Sequence, residues 1–183
     1  MKKAAAILAR RAHSRGELRR KLTAAFMAMS SDSAEITSQA EKVLDRLEYL
    51  DLLNDTDYAY NFSLHHLKES GWGPARIREA LRSREVAEKD IEQAITYVFT
   101  PAGNTDVVDG LTDEYLNDKT SALMTCIENY CRKKGMPGTF PASIKDTRRL
   151  ARHLTRHGFE EAAICDALAK IVPPEVFRKF EGE

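Results

Sequence analysis

The stretch LKESGWGPARIREAL, residues 67–81, decides the fold class. Gly71 allows a helix to end in the left-handed conformation, and Pro74 suits the first turn of a following helix. The ring of Trp72 stands between these two residues, and apolar residues at helical spacing flank it on both sides. The stretch therefore predicts two helices joined by a tight turn that an aromatic ring fills.

The same pattern occurs twice more, in LARRAHSRGELRRKL (8–22) and LTRHGFEEAAICDAL (154–168). In each segment a leucine stands five residues before a ring, a small residue directly precedes the ring, and an aliphatic pair at i,i+4 follows it. The rings are His13, Trp72 and Phe159, the small residues Ala12, Gly71 and Gly158, and the pairs Leu18/Leu22, Ile77/Leu81 and Ile164/Leu168. Three matches indicate an internal repeat, and short helical repeats usually stack into an elongated array.

Apolar residues recur at helical spacing along nearly the whole chain, and no segment of useful length alternates as a half-buried strand would. The clearest helical stripe consists of Ile36, Ala40, Val43, Leu44, Leu47 and Leu50. We therefore predict an all-α fold, an elongated array of three tandem three-helix repeats. The expected boundaries are 1–54 for the first repeat, 55–100 for the second, 101–112 for an acidic loop, and 113–183 for the third, with an internal loop at 133–143.

Charge is balanced over the chain but uneven along it. The 28 basic and 28 acidic residues give a formal net charge of zero, so no global field draws the chain to a polyanion. Residues 1–22 are strongly basic, and residues 85–118 are strongly acidic. Any binding to nucleic acid must therefore come from local clusters of charge.

Several sequence features indicate in which cellular compartment the protein is found. No run approaches the roughly 20 apolar residues of a membrane helix, and the apolar stretch near the N-terminus is too short for a signal peptide. Cys126, Cys131 and Cys165 match neither a secreted disulfide framework nor a paired zinc motif. We therefore expect a soluble, cytoplasmic protein without a membrane partner.

Four stretches, in the same order along the chain, resemble the RecX family of regulatory proteins. They are residues 8–22 quoted above, the LLNDTDYA of residues 52–59, the GWGPARIREAL of residues 71–81, and RRLARHL (148–154) followed by HGF (157–159). The resemblance is strong over about residues 4–100 and weaker over 113–170. Asp51 and Glu85 depart from the family pattern, which usually has glycine at these helix ends, and we expect altered joints there.

The resemblance implies a function that composition does not show. RecX-like proteins are expected to form a crescent of three-helix repeats that lies in the groove of the RecA filament on DNA. There they would lower the ATPase, strand-exchange and coprotease activities of RecA. The implied role is therefore a non-enzymatic regulator of recombination, DNA repair and the SOS response, with RecA as its partner.

Arginines on the repeat helices are the candidate contact residues, because a planar guanidinium can pair with a phosphate or with an acidic protein surface. A solvated helix face is the alternative interpretation of these residues. The candidates are Arg11, Arg15, Arg19, Arg20, Arg76, Arg78, Arg82, Arg149 and Arg152. We expect weak contacts with the DNA phosphate backbone, without sequence preference, from a monomeric protein.

No metal, cofactor or catalytic group is expected. Cys126 and Cys131 are five residues apart, off the i,i+4 spacing that brings ligands together on a helix. His65 and His66 are adjacent, so their side chains diverge around the helix axis. Trp72 could stack on a base, but a ring at a helix joint is more often structural. Sequence signals for catalytic triads and phosphate-binding loops are absent, which excludes the common enzyme classes.

A helix-turn-helix transcriptional regulator is the alternative function, and a helical scaffold without a nucleic-acid role is a third. A recognition helix needs polar readers at its N-terminal end, whereas Pro74-Ala75 and Glu160-Glu161 occupy those positions. The sequence therefore favours the filament regulator over the transcription factor.

Overall fold

The computed structural model describes residues 2–27, 32–99, 119–135, 141 and 143–181. These residues form ten α-helices and no strand, so the all-α prediction is confirmed. The helices are α1 (Lys2–Leu8), α2 (Arg15–Met27), α3 (Ser33–Tyr49), α4 (Asp55–Ser70), α5 (Pro74–Arg82), α6 (Glu88–Phe99), α7 (Lys119–Lys133), α8 (Ile144–Arg156), α9 (Glu161–Ile171) and α10 (Pro174–Glu181). None of these helices is long and apolar enough to cross a bilayer. The predicted acidic loop at 101–112 and most of the predicted loop at 133–143 lie outside the described residues.

The chain divides into two compact units. Unit 1 consists of Met1–Phe62 and Ala80–Ala94, and unit 2 consists of Ser63–Glu79 and Ile95–Glu183. The segment 55–100, expected as the second repeat, contributes residues to both units. The boundaries of the three repeats therefore stay a prediction.

Each of the three aligned segments contains a helix, a short joint and a second helix. The joints lie between α1 and α2, between α4 and α5, and between α8 and α9. The two residues of the aliphatic pair after each joint are at most 3% exposed. These pairs are Leu18/Leu22, Ile77/Leu81 and Ile164/Leu168. Burial of such a side chain stabilises the fold by roughly 1.5–3 kcal/mol, so these pairs anchor the second helix of each segment.

The core of unit 1 forms between α1, α2 and α3. It contains Ala4, Leu18, Leu22, Ala40, Leu44, Leu47 and Leu53. The stripe predicted on α3 is mostly correct, because four of its residues are buried: Ile36, Ala40, Leu44 and Leu47. Leu50 is an exception, being 42% exposed. The helix ends at Tyr49, so Leu50 leaves the helical register and turns to solvent.

Left-handed residues follow several of the helices. The φ angles are 54° at Asp51, 58° at Glu85, 62° at Gly71 and 86° at Gly158. After α3 the amide of Leu52 donates to the Leu47 carbonyl at 2.9 Å, the bond of a Schellman cap. The expectation of altered joints at Asp51 and Glu85 stays a prediction. Both residues adopt the conformation that glycine would, at a cost in backbone strain.

Unit 2 has its core where α7, α8 and α9 meet. Leu123 and Ile127 of α7 are buried with Leu150 and Leu154 of α8 and with Leu168 of α9. The first turn of α8 is capped by Ser143, whose hydroxyl accepts a hydrogen bond from the amide of Asp146 and donates one to its carboxylate. This cap and the buried leucines fix the register of α8.

Candidate functional site

Arg15 was predicted to contact a partner, but it forms a network within unit 1. Its guanidinium lies 2.7 Å from Glu41, 2.9 Å from Asp45 and 3.4 Å from Glu48, all on α3. Its backbone amide also donates to the Asp55 carboxylate at 2.7 Å. Only 31% of the Arg15 side chain is exposed. This arginine joins α2 to α3, which is a structural role.

Arg19 and Arg20 share a carboxylate. The Glu85 side chain accepts a hydrogen bond from Arg19 and lies 3.1 Å from Arg20. Glu85 follows α5, so this trio fastens α2 to the end of that helix. Arg82 is similarly paired with Glu88, to which its Nε and Nη2 both donate hydrogen bonds. These three arginines are about half exposed, yet each already has an acidic partner.

Arg11 binds Glu17 with two parallel hydrogen bonds, at 3.1 and 3.2 Å. Glu17 also accepts a bond from Tyr58 and lies 3.9 Å from Arg84. Burial alone would raise the pKa of Glu17, but the hydrogen bond and charge of Arg11 outweigh it and hold that pKa below its usual value. The four arginines Arg11, Arg15, Arg19 and Arg20 are thus each paired with carboxylates of the protein itself.

Arg76 is engaged with the second joint. Its guanidinium lies 4.4 Å above the Trp72 ring, and it donates to the carbonyl of Arg156 at 3.4 Å. The other face of Trp72 stacks on His66, with ring centroids 4.1 Å apart. Trp72 is partly buried in this stack. Arg78 is partly buried on the same helix.

Arg149 and Arg152 have a different setting, in a cleft between α7 and α8 with a volume of about 550 Å³. The cleft is lined by Tyr130, Lys134, Asp146, Arg149, Arg152, His153 and Arg156. Four cations thus face one carboxylate. That carboxylate, Asp146, lies 3.4 Å from Arg149 within the same turn of α8. We call this surface the α8 cleft.

The spacing of the α8 arginines explains the cleft. Arg149, Arg152 and Arg156 fall at i, i+3 and i+7, which places them on one helix face. The side chains of Arg149 and Arg152 are exposed, and Arg152 donates to the carbonyl of Arg148 at 3.2 Å. Arg156 was not among the predicted contact residues, although its spacing could have identified it. Lys134 directly follows α7, and nothing in the sequence connects it with α8.

His153 in the last turn of α8 and His157, the C-cap residue of this helix, do not add to the positive charge. Burial, together with the neighbouring His157 and Lys133, lowers the pKa of His153 to about 4. Burial also lowers the pKa of His157, against the effect of its hydrogen bond to the Gly71 carbonyl. Both imidazoles are therefore neutral near pH 7. The charge of the cleft comes from its arginines and lysine alone.

A group of possible metal ligands adjoins the cleft. One ligand atom each of Cys126, His153 and His157 lies within 4.8 Å of the others. Cys126 is 2% exposed, and burial raises the pKa of its thiol to about 11. The spacing of Cys126 from the other cysteines gave no indication of this group. The i,i+4 spacing of the two histidines was the signal that could have revealed this group.

The fold and the α8 cleft define an all-helical protein with helix–joint–helix units and a cationic surface. Residues 54–95 match the family model described as RecX, second three-helix domain. The chain is 44% identical over 89 residues to "Regulatory protein RecX" of Pseudomonas putida, a match covering 49% of this chain and 56% of that protein. It is 40% identical to "Regulatory protein RecX" of Pseudomonas fluorescens, over 49% of this chain and 52% of the relative. The match thus spans about half the length of these relatives.

Two solved RecX structures have a fold similar to that of this chain. The crystal structure of RecX from Lactobacillus salivarius superposes with a TM-score of 0.61 at 16% identity, covering all of this chain and 94% of the other. A second crystal structure, of regulatory protein RecX, has a TM-score of 0.60 at 17% identity and covers all of this chain and 70% of the other. The resemblance to the RecX family predicted from the sequence is confirmed.

Proposed function

We propose that this protein is a non-enzymatic regulator of homologous recombination and DNA repair, acting in the cytoplasm as a monomer. It binds the RecA filament on DNA and lowers the ATPase, strand-exchange and coprotease activities of RecA. The single observation that carries this proposal is the match of residues 54–95 to the second three-helix domain of RecX. The proposal keeps three repeats, 1–54, 55–100 and 113–183, as the units that lie along the filament.

We infer that the α8 cleft is the main contact surface for phosphates or for acidic patches of the filament. Arg149 and Arg152 are exposed there, beside a single carboxylate. By contrast, Arg15 and Arg19 would have to break ion pairs within the protein before they could bind a partner. Exchanging one ion pair for another gains little free energy, so the α8 arginines are the stronger candidates.

RecA-catalysed ATP hydrolysis on single-stranded DNA tests the proposal. The wild-type chain is titrated beside Arg149→Ala/Arg152→Ala and beside a control, Lys42→Ala/Lys89→Ala. The control removes the same charge from exposed positions on α3 and α6. We expect the wild type and the control to inhibit alike. The cleft variant should require at least tenfold more protein for the same inhibition, with an unchanged helical circular dichroism spectrum.

Other outcomes would contradict parts of the proposal. If the wild type binds preformed filaments without lowering ATP hydrolysis, the inhibitory mechanism is wrong. If both double variants lose inhibition equally, the effect is one of net charge and the α8 cleft is not the contact surface. Absence of filament binding, combined with sequence-specific footprints on duplex DNA, would instead support a transcriptional regulator.

A further inference from the structure

Cys126, His153 and His157 lie on two helices that hold them together. His153 lies in the last turn of α8 and His157 is the C-cap residue four positions later, so their side chains leave the same side one turn apart. Cys126 is on α7, which packs directly against α8. Buried leucines hold α7 and α8 in place. The positions of the three side chains are therefore set by helix packing.

The separation of the three ligand atoms suits a small tetrahedral ion. All three atoms lie within 4.8 Å of one another. Zinc binds thiolate sulfur at about 2.3 Å and imidazole nitrogen at about 2.0–2.1 Å, so two of its ligands are roughly 3.3–3.6 Å apart. The upper limit of 4.8 Å exceeds this ideal separation by about 1.2–1.5 Å. Small rotations of the side chains are enough to close it.

His157 also has the second contact that metal-binding histidines usually make. Its Nδ1 lies 3.1 Å from the carbonyl oxygen of Gly71, to which a protonated Nδ1 donates a hydrogen bond. With its proton on Nδ1, the ring keeps the lone pair of Nε2 for a metal. The orientation of His157 is therefore set before any ion binds.

There is room for a fourth ligand. A cavity of about 350 Å³ is bordered by all three side chains, and also by Glu69, Asn129 and Tyr130 among others. Water or the Glu69 carboxylate could complete a tetrahedron there. Three protein ligands with an open fourth position are typical of zinc sites that are not purely structural.

We propose that Cys126, His153 and His157 form a zinc-binding site in unit 2. Sulfur and imidazole ligands favour Zn²⁺ over the hard cations Mg²⁺ and Ca²⁺, which prefer oxygen. Binding replaces the thiol proton of Cys126, which is released to solvent, and the thiolate offsets one of the two charges of the ion. Lys133 also borders the cavity, and its charge opposes the ion. We therefore expect an affinity on the order of micromolar, weaker than that of a structural zinc finger.

Cobalt substitution tests the site directly, because a Co²⁺–thiolate bond gives a charge-transfer absorption in the near ultraviolet and tetrahedral Co²⁺ gives intense visible bands. The full chain, stripped of metal with a chelator, is titrated with Co²⁺ and then with Zn²⁺. We expect one Co²⁺ per chain, displaced by one Zn²⁺. Cys126→Ser should abolish the thiolate band, whereas the matched control Cys165→Ser should retain it. A band that survives in Cys126→Ser, or no band in the wild type, would overturn the proposal.

Zinc affinity, measured by competition with a chromophoric chelator, provides a second test that does not depend on the buried cysteine. His153→Gln and His157→Gln should each weaken Zn²⁺ binding at least tenfold, and the exposed control His65→Gln should not. Circular dichroism establishes that each variant is folded. Equal affinity in all four proteins would show only surface binding and would contradict the site. RecA is absent from both tests, so their outcome is independent of the proposed function.

Discussion

The backbones of Gly73 and Gly158 are in direct contact. The amide of Gly73 donates to the His157 carbonyl at 2.6 Å, and a Cβ on Gly73 would stand 2.6 Å from the carbonyl oxygen of Gly158. A Cβ on Gly158 would in turn stand 2.4 Å from the amide nitrogen of Arg76. The second and third joints therefore meet with no space for a side chain, which explains why glycine occupies both positions.

Gly73→Ala should lower the free energy of unfolding by about 1–3 kcal/mol, because the added methyl group collides with backbone atoms that cannot rotate away. Urea denaturation followed by circular dichroism measures the change. Gly135→Ala is the control, since a Cβ there meets open space and only the φ of 69° is unfavourable. A loss for Gly73→Ala no larger than for Gly135→Ala would contradict the close contact.

Asp51→Gly should raise stability by about 0.5–1 kcal/mol. The left-handed conformation at Asp51 strains an L residue, and glycine relieves this strain at a smaller cost in unfolded-state entropy. Asp51→Ala separates backbone strain from charge, because it also removes the carboxylate from the C-terminal end of α3. Thermal unfolding should rank the glycine variant above the alanine variant. If the alanine variant is the more stable of the two, the left-handed φ of Asp51 is not what limits stability.

The helix–joint–helix units could be predicted because their determinants are local in sequence. The glycine at Gly71, the proline at Pro74 and the i,i+4 aliphatic pairs act within a few residues of one another. The left-handed conformation of Asp51 could not be predicted in this way. Aspartate gives no strong signal for positive φ, and the conformation is imposed by the Schellman bond from Leu52 to Leu47.

The candidate site was only partly predictable, since the partner of each arginine lies far away in the sequence. Arg15 meets carboxylates 26 to 33 residues later, and Arg19 meets Glu85 66 residues later. No periodicity encodes such pairs, so clustered arginines in residues 8–22 predicted a free basic surface. Arg149 and Arg152 were predicted as contact residues from their charge and stay a prediction, whereas their cleft depends on the packing of α7 against α8, which no local pattern encodes.

His13 should make the protein less stable in mild acid. Its Nδ1 donates to the Arg11 carbonyl at 2.8 Å, and its Nε2 lies 2.6 Å from the Lys21 ammonium, from which it accepts. Burial and the charges of Arg11 and Lys21, only partly opposed by that carbonyl and by Glu17, lower its pKa from the ordinary 6.5. As the pH falls, the unfolded chain therefore takes up a proton on His13 before the folded chain does. This contribution to stability is complete above pH 6.5 and is lost as the pH falls through the folded-state pKa.

Unfolding free energies at about pH 7 and about pH 5 measure this effect. His13→Gln should reduce the loss of stability on acidification, because glutamine can keep hydrogen-bonding to both partners without titrating. His65→Gln, at an exposed position on α4, should leave the loss unchanged. An identical pH dependence of stability in wild type and His13→Gln would show that His13 does not cause the loss of stability in acid.

Arg15→Ala should affect stability more than partner binding. Without the guanidinium, the carboxylates of Glu41, Asp45 and Glu48 repel one another along one face of α3. We expect a loss of about 1–2 kcal/mol, at the upper end for surface ion pairs because Arg15 joins several charges in one network. Denaturant unfolding measures it. Under conditions where the variant is folded, its inhibition of RecA should match that of the wild type, and a selective loss of inhibition would instead make Arg15 a contact residue.

The salt dependence of binding to single-stranded DNA should report how many phosphates the α8 cleft contacts. Each phosphate contact on a single strand contributes about −0.7 to the slope of log affinity against log salt concentration. If Arg149 and Arg152 each bind one phosphate, their double alanine variant should reduce the slope by about 1.4, equally for oligonucleotides of different sequence. Lys42→Ala/Lys89→Ala should keep the wild-type slope. A reduction that depends on base composition would mean that the cleft reads bases, whereas an unchanged slope would remove DNA phosphate from the ligands of this cleft and leave an acidic protein surface as its partner.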